Sequence, residues 1–244
     1  MKFYISDYQY KVLTEISRTS GHYHSQPIYE LIDYFDNSLT RKQKIKIFKE
    51  FTSKVFGDVE KLPKSNILNF YSYPYTSNVE LPEQFLKKDF LSGFAFYVAK
   101  NYFNLKSGVQ LDYIEENDEG LITYYFFDSG LKIFIGKIAT KPNDEFSGVS
   151  LRVSLSTADD ELIGTGYGTK MYLSIIDDID YLSSDYTLFT GAYRIWKHTL
   201  PKYVNVWGVT EKEMGTEFKK IEPSYKKEVR KYDYFVASTH SELR

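Results

Sequence analysis

Leu162-Ile163-Gly164-Thr165-Gly166-Tyr167-Gly168-Thr169-Lys170-Met171 sets three glycines at alternate positions. Before it come LITYYFFD (121–128), GLKIFIGKIAT (130–140) and GVSLRVSLST (148–157), rich in β-branched and aromatic residues and separated by DSG and KPNDEFSG. Such runs with such breaks read as an antiparallel meander. After it, TKMYLSIIDDIDYL (169–182) carries Met171, Leu173, Ile175, Ile176 and Ile179 and reads as a helix. The glycines therefore lie at a strand-to-helix junction. Glycine there permits positive φ and close approach of a ligand, while successive N–H groups and the helix dipole make a pocket for an anion such as a pyrophosphate. The plain alternative is a tight turn with no ligand. The spacing is G-x-G-x-G, so neither the dinucleotide fingerprint nor a P-loop can be written over it.

Downstream the expectation is a short strand at YTLFTG (186–191), a short helix at AYRIWKHTL (192–200), a strand at YVNVWGV (203–209) and a last strand within 230–238. The segment 210–231 alternates charge without an apolar face and reads as an exposed helix and loop. With the loop Gly164-Thr165-Gly166-Tyr167-Gly168-Thr169 and these flanking elements, residues 108–238 resemble the GCN5-related N-acetyltransferases, whose loop has the form [QR]-G-x-G-x-G-T. The resemblance implies that Ile163 to Thr169 hold the pyrophosphate of acetyl-CoA. It also implies that acetyl passes directly to an amine and that backbone donors on the preceding strand polarise the thioester. Two positions depart from the family: Ile163 stands where it usually has Gln or Arg, and Trp196 stands where it often has a tyrosine four residues after an alanine, here Ala192. Tyr193, His198 and Tyr203 are then the candidates to protonate the thiolate, a role a phenol or imidazole can fill. Glu161, or Asp160, would accept the amine proton through water.

The first 107 residues read as a helical region preceding an α/β domain over 108–244, an α+β protein with a mixed, largely antiparallel sheet flanked by helices. Ser25 precedes QPIYELIDYF, with Ile28, Leu31, Ile32 and Phe35 on one side. Residues 40–57 place Ile45, Phe48, Phe51 and Val55 opposite Lys42, Lys44, Lys46, Lys49 and Lys54, with Gly57 as a stop. Residues 81–103 repeat the pattern through Phe85, Leu86, Phe90, Leu91, Phe94 and Val98.

The 244 residues hold no cysteine, which excludes disulfides, thiolate metal sites and a cysteine nucleophile. No segment reads as a signal peptide or a membrane span, so a cytoplasmic protein is expected. A net charge of −2 offers no global attraction for nucleic acid, and the lysine face reads as solvated. His22 and His24 with Glu30 form a weak metal pattern, and Asp177, Asp178 and Asp180 read as an acidic turn, so no metal is expected. The 23 tyrosines and 18 phenylalanines allow a second function class: a non-enzymatic assembly protein, for example a virus-particle component, joined through tyrosine-rich surfaces to protein partners as an oligomer or larger assembly. Either reading takes its specificity from a site, since a fold alone does not set function.

Overall fold

The computed structural model describes residues 26–56, 88–158, 162, 164–223 and 232–243. The chain divides into two compact units, one of Met1–Leu105 with Phe127–Phe134, the other of Lys106–Phe126 with Ile135–Arg244.

In the first unit, α1 (Gln26–Ser38) buries Ile28, Leu31, Ile32 and Phe35, the i, i+3, i+4, i+7 stripe that makes a helix amphipathic. Helix α2 (Arg41–Phe56) opens on a capping box, in which Gln43 N–H donates to Thr40 Oγ1 (3.4 Å) and Thr40 N–H donates to Gln43 Oε1 (3.0 Å). It buries Ile47 and Phe51, whereas the side chains of Ile45, Phe48 and Val55 lie outside those described, as does Gly57. Helix α3 (Lys88–Tyr102) buries Leu91, Phe94 and Val98; Phe85, Leu86 and the Phe90 side chain lie outside the described residues. Polar contacts fix the helices to one another. Lys44 of α2 pairs with Asp36 of α1. Glu50 of α2 accepts from the Tyr97 and Tyr102 hydroxyls of α3 at 3.0 and 2.9 Å. Burial, then the bond to Glu50, pushes the Tyr97 phenol up to about 12.

An eight-stranded sheet is ordered β1-β2-β3-β4-β5-β8-β6-β7. Its strands are β1 (Asp112–Asp118), β2 (Leu121–Asp128), β3 (Ile133–Pro142), β4 (Ser150–Ala158), β5 (Tyr181–Ser183), β6 (Asn205–Lys212), β7 (Gly215–Lys220) and β8 (Tyr234–Ser238). Strands β4 and β5 run parallel, while β3–β4, β5–β8, β6–β8 and β6–β7 are antiparallel. The protein is thus α+β with a mixed sheet. A parallel pair needs a crossover, and α4 (Tyr167–Ile176) supplies it. The β5-to-β6 link carries α5 (Thr190–Arg194), a π turn at Ile195–Thr199 and a 3-10 turn at Leu200–Lys202.

Side chains alternate along β8, so its neighbours fall on opposite faces of the sheet. Phe235 meets Trp196 and Tyr193 on one face. Tyr234 and Val236 join Tyr181 and Val209 on the other, with Phe146 and Leu243 packed against them. On that second face the Arg152 guanidinium lies between the Tyr186 and Tyr234 rings at 4.4 and 4.7 Å and donates to Glu145 at 2.6 Å. Many of the tyrosines are therefore core residues with a bonded hydroxyl, as in the 3.0 Å bond from Tyr234 to Glu145.

Three elements differ from the sequence expectation. Strand β1 is additional: four of its seven residues are carboxylates, which hides the strand signal. The helix expected over 169–182 stops at Ile176, and the strand expected at 186–191 lies instead at Tyr181–Ser183, too short to show a period, while Thr190 and Gly191 begin α5. The exposed helix and loop expected over 210–231 contains β7, whose mostly exposed side chains leave no apolar alternation to read. Among the described residues no helix is long and apolar enough to cross a membrane.

Trp196 is 0% exposed and meets Tyr172 edge-on with ring centroids 5.2 Å apart. Replacing it with alanine leaves a large cavity and is expected to cost about 3–5 kcal/mol in urea denaturation. Leu131→Ala, at a residue 64% exposed, is expected to change stability by less than about 0.5 kcal/mol.

Candidate functional site

The three glycines of the turn serve different ends. Gly164 has φ +82° and Gly166, which caps α4, has φ +92°; a Cβ on either would meet no atom within 4 Å. Backbone conformation rather than crowding therefore requires glycine at both. Gly168 is ordinary helix, and a Cβ there would lie 2.9 Å from Ile195 Cδ1, so the Ile195 side chain of the π turn packs closely on the head of α4 and would have to shift for a larger residue.

The turn is held from inside. Thr165 donates to the Leu162 carbonyl through both N–H (3.2 Å) and Oγ1 (2.5 Å). The Gly166 carbonyl accepts from Thr169 N–H at 3.1 Å and Lys170 N–H at 3.3 Å. The N–H groups of Gly164, Gly166 and Gly168 find no acceptor among the described residues. Gly164, Thr165 and Gly166 are exposed, whereas Tyr167 and Thr169 are buried, with Lys170 Nζ 4.7 Å from the centre of the Tyr167 ring. Unpaired donors at a helix N-terminus carry the positive end of the dipole and face water, the arrangement an anion can use. Ile163, Asp160 and Glu161 lie outside the described residues.

Strand β4, which precedes this turn, is paired with β5 over only part of its length. Pairing with β5 covers only Ser150, Leu151 and Arg152, while β4 continues to Ala158. From Val153 onward β4 has no strand on its β5 side among the described residues. Its register against β3 shifts here: Val153 pairs with Thr140 and Leu155 with Ala139, so Ser154 is an extra residue, and its hydroxyl donates to the Ala139 carbonyl at 3.1 Å. A bulge bends the bulged strand and re-aims the residues after it. Of the residues that follow, Ser156 reaches α4, where the buried Tyr172 hydroxyl contacts the Ser156 and Trp196 side chains. Burial raises the Tyr172 phenol above its usual range, and those two contacts oppose the rise. Trp196 Nε1 has no acceptor at hydrogen-bond geometry, so its contact with Tyr172 is loose.

The candidate acids fall on one segment in three different settings. The Tyr193 hydroxyl accepts from Lys197 Nζ at 3.2 Å, and its ring meets Phe235 edge-on at 5.4 Å. His198 is exposed; burial of the ring nitrogens, then the charges of Lys197, Arg194 and Lys202, lowers its pKa below 6.5. Tyr203 is 64% exposed. The segment reaches the turn through Ile195, and Trp196 is locked in the core. Sequence reasoning did not single out Ser156 or Tyr172. Tyr172 sits inside a helix whose period already accounts for it, and Ser156 gains its importance only from its contact with Tyr172.

Among the described residues no group of three or more His, Asp or Glu could hold a metal. Asp178 accepts from the Tyr113 hydroxyl. Asp180 accepts from Val149 N–H at 2.7 Å and lies 2.9 Å from His240 Nε2, so both carboxylates fasten structure. His22 and His24 lie outside the described residues. On the α2 lysine face, Lys44 is ion-paired and Lys54 lies over the Tyr97 ring at 4.4 Å. The chain matches no protein-family model, and no curated protein matches it either.

Because the folded state depresses the His198 pKa, the unfolded chain binds more protons between that lowered value and 6.5, and stability rises with pH through this window. His198→Gln removes the proton-binding difference. The melting temperature of H198Q relative to the parent is expected to climb as pH falls below 6.5; a difference independent of pH contradicts the assignment.

Proposed function

We propose that the chain is an acetyl-CoA-dependent N-acetyltransferase of the GCN5-related kind, with the 164–168 turn as the cradle for the cofactor's pyrophosphate. The observation that carries this reading is that the N–H groups of Gly164, Gly166 and Gly168, at the head of α4, find no acceptor among the described residues. The β5 side of β4 beyond Arg152, which no described strand pairs with, supports it, because a pantetheine arm could lie along that strand backbone.

In this reading an amine nitrogen attacks the thioester carbonyl, the C–N bond forms, and collapse breaks the C–S bond. Backbone donors on β4 stabilise the oxygen as it gains charge. The nitrogen's proton passes through water to a carboxylate, for which Glu161 is the candidate, and the departing thiolate takes a proton from Tyr193, His198 or Tyr203. Among these three, Tyr193 is the one whose hydroxyl is held in place, by a hydrogen bond from Lys197 Nζ at 3.2 Å. Trp196 is excluded from the role by its indole chemistry and by its burial. That burial also favours the second reading, a non-enzymatic assembly protein, since the family's usual acid position is given to packing.

Acetyl-CoA at about 100 times its dissociation constant should stabilise the native protein by about 2.7 kcal/mol. A clear rise in melting temperature is therefore expected with acetyl-CoA, and none with acetyl-pantetheine, which lacks the phosphates. Equal shifts with both ligands would remove the pyrophosphate cradle, and no shift with either would leave the assembly reading. Tyr193→Phe should lower kcat for acetyl transfer by roughly 10²-fold or more with acetyl-CoA binding intact if Tyr193 is the acid.

A further inference from the structure

The sheet ends on β7, which pairs with β6 on one side and with no described strand on the other. Its register tells which backbone groups point outward. Ile221 N–H donates to the Val206 carbonyl at 2.8 Å, and hydrogen-bonded pairs alternate along an antiparallel ladder. Counting from there, the groups of Lys219, Glu217 and Gly215 turn toward β6, and those of Lys220, Phe218 and Thr216 turn away. The β8 side agrees: Asp233 N–H donates to the Val209 carbonyl at 2.8 Å, so odd-numbered β6 residues serve β8 and even-numbered ones serve β7.

The outward side of β7 is self-complementary. Laid antiparallel on a second copy with the two-fold axis at Phe218, Thr216 falls opposite the second Lys220, Phe218 opposite itself, and Glu217 opposite the second Lys219. Every outward N–H then meets an outward carbonyl, giving about six backbone hydrogen bonds. On one face Glu217, which pairs with Lys212 of its own β6, also comes directly across from the second Lys219, a favourable cross-strand combination. On the other face two Phe218 side chains meet, each 42% exposed in the single chain. A shift of the axis by one residue would still let outward groups meet outward groups, but it would set Glu217 directly against a second Glu217, an unfavourable like-charge pair.

We propose that two copies of this chain associate edge to edge through β7, extending the sheet across a two-fold axis at Phe218. Of the usual devices against edge pairing, proline is absent from Gly-Thr-Glu-Phe-Lys-Lys, and of its charged residues Lys219 would lie across from the second Glu217. An isologous interface of this kind is the commonest symmetry of homo-oligomers. It buries little area, so the dimer should be concentration-dependent. The inference is independent of the cofactor reading.

The chain has no cysteine, which makes cross-linking a clean test. Opposed residues in a hydrogen-bonded antiparallel pair have Cα atoms about 5.5 Å apart, within disulfide reach. Full-length Phe218→Cys is expected to form a covalent dimer under mild oxidation. Thr216→Cys, whose two copies would lie about 13 Å apart by strand rise, is not. Sedimentation of the parent across a concentration series should show a species of twice 28.6 kDa. Glu217→Lys and Lys219→Glu should each abolish that species, and the double exchange E217K/K219E should restore it, with unchanged circular dichroism confirming the fold. Cross-linking of both cysteine variants alike, or of neither, overturns the proposal. So does a parent that sediments as a monomer throughout, or a double exchange that behaves like the single ones.

Discussion

Strands β4 and β5 run side by side in the same direction, and hydrogen-bonded strands can do so only if the chain leaves the sheet and comes back. The chain makes that excursion between Ala158 and Tyr181, and nearly everything of functional interest follows from it. The turn must reverse direction into α4, which places Gly164 and Gly166 at positive φ. A helix begun there exposes its first N–H groups. The three-residue β5 pairs with only the beginning of β4, so from Val153 onward β4 has no strand on that side among the described residues. One topological requirement thus produces a partly paired strand and a positive helix end together.

The bulge at Ser154 and the core position of Trp196 refine this arrangement. The bulge precedes Ser156, which contacts the Tyr172 hydroxyl. Trp196 lies in the core, packed on Tyr172 and Phe235. A tyrosine in its place would put a hydroxyl where the indole now fills space. Of the nearby side chains, the Tyr193 hydroxyl meets Lys197, while His198 and Tyr203 are more exposed. The aromatic surplus has a comparable double use. Tyr234 and Tyr186 enclose the Arg152 guanidinium and bond carboxylates at their tips, so rings that would suit an interface instead solve the problem of a buried charge.

The sequence by itself determined the meander, the glycine turn and the helix start, because a period of two, positive-φ glycines and an apolar helical stripe are local properties. It determined the buried stripe of α1 for the same reason, from Ile28 to Phe35. Only the tertiary structure decided the rest. β5 and β7 are strands because a sheet edge was available to pair with them, a fact that no property of Tyr-Leu-Ser or of a charged edge segment announces. The division of labour among the glycines was also hidden. Gly168 packs close to the Ile195 side chain, 27 residues away in sequence, and such a contact exists only after the chain has returned to the sheet. The assignment of Trp196 to the core and of acceptor-free amides to the turn likewise depends on which groups find partners across the fold, and hydrogen-bond satisfaction is a property of the whole packing rather than of any segment.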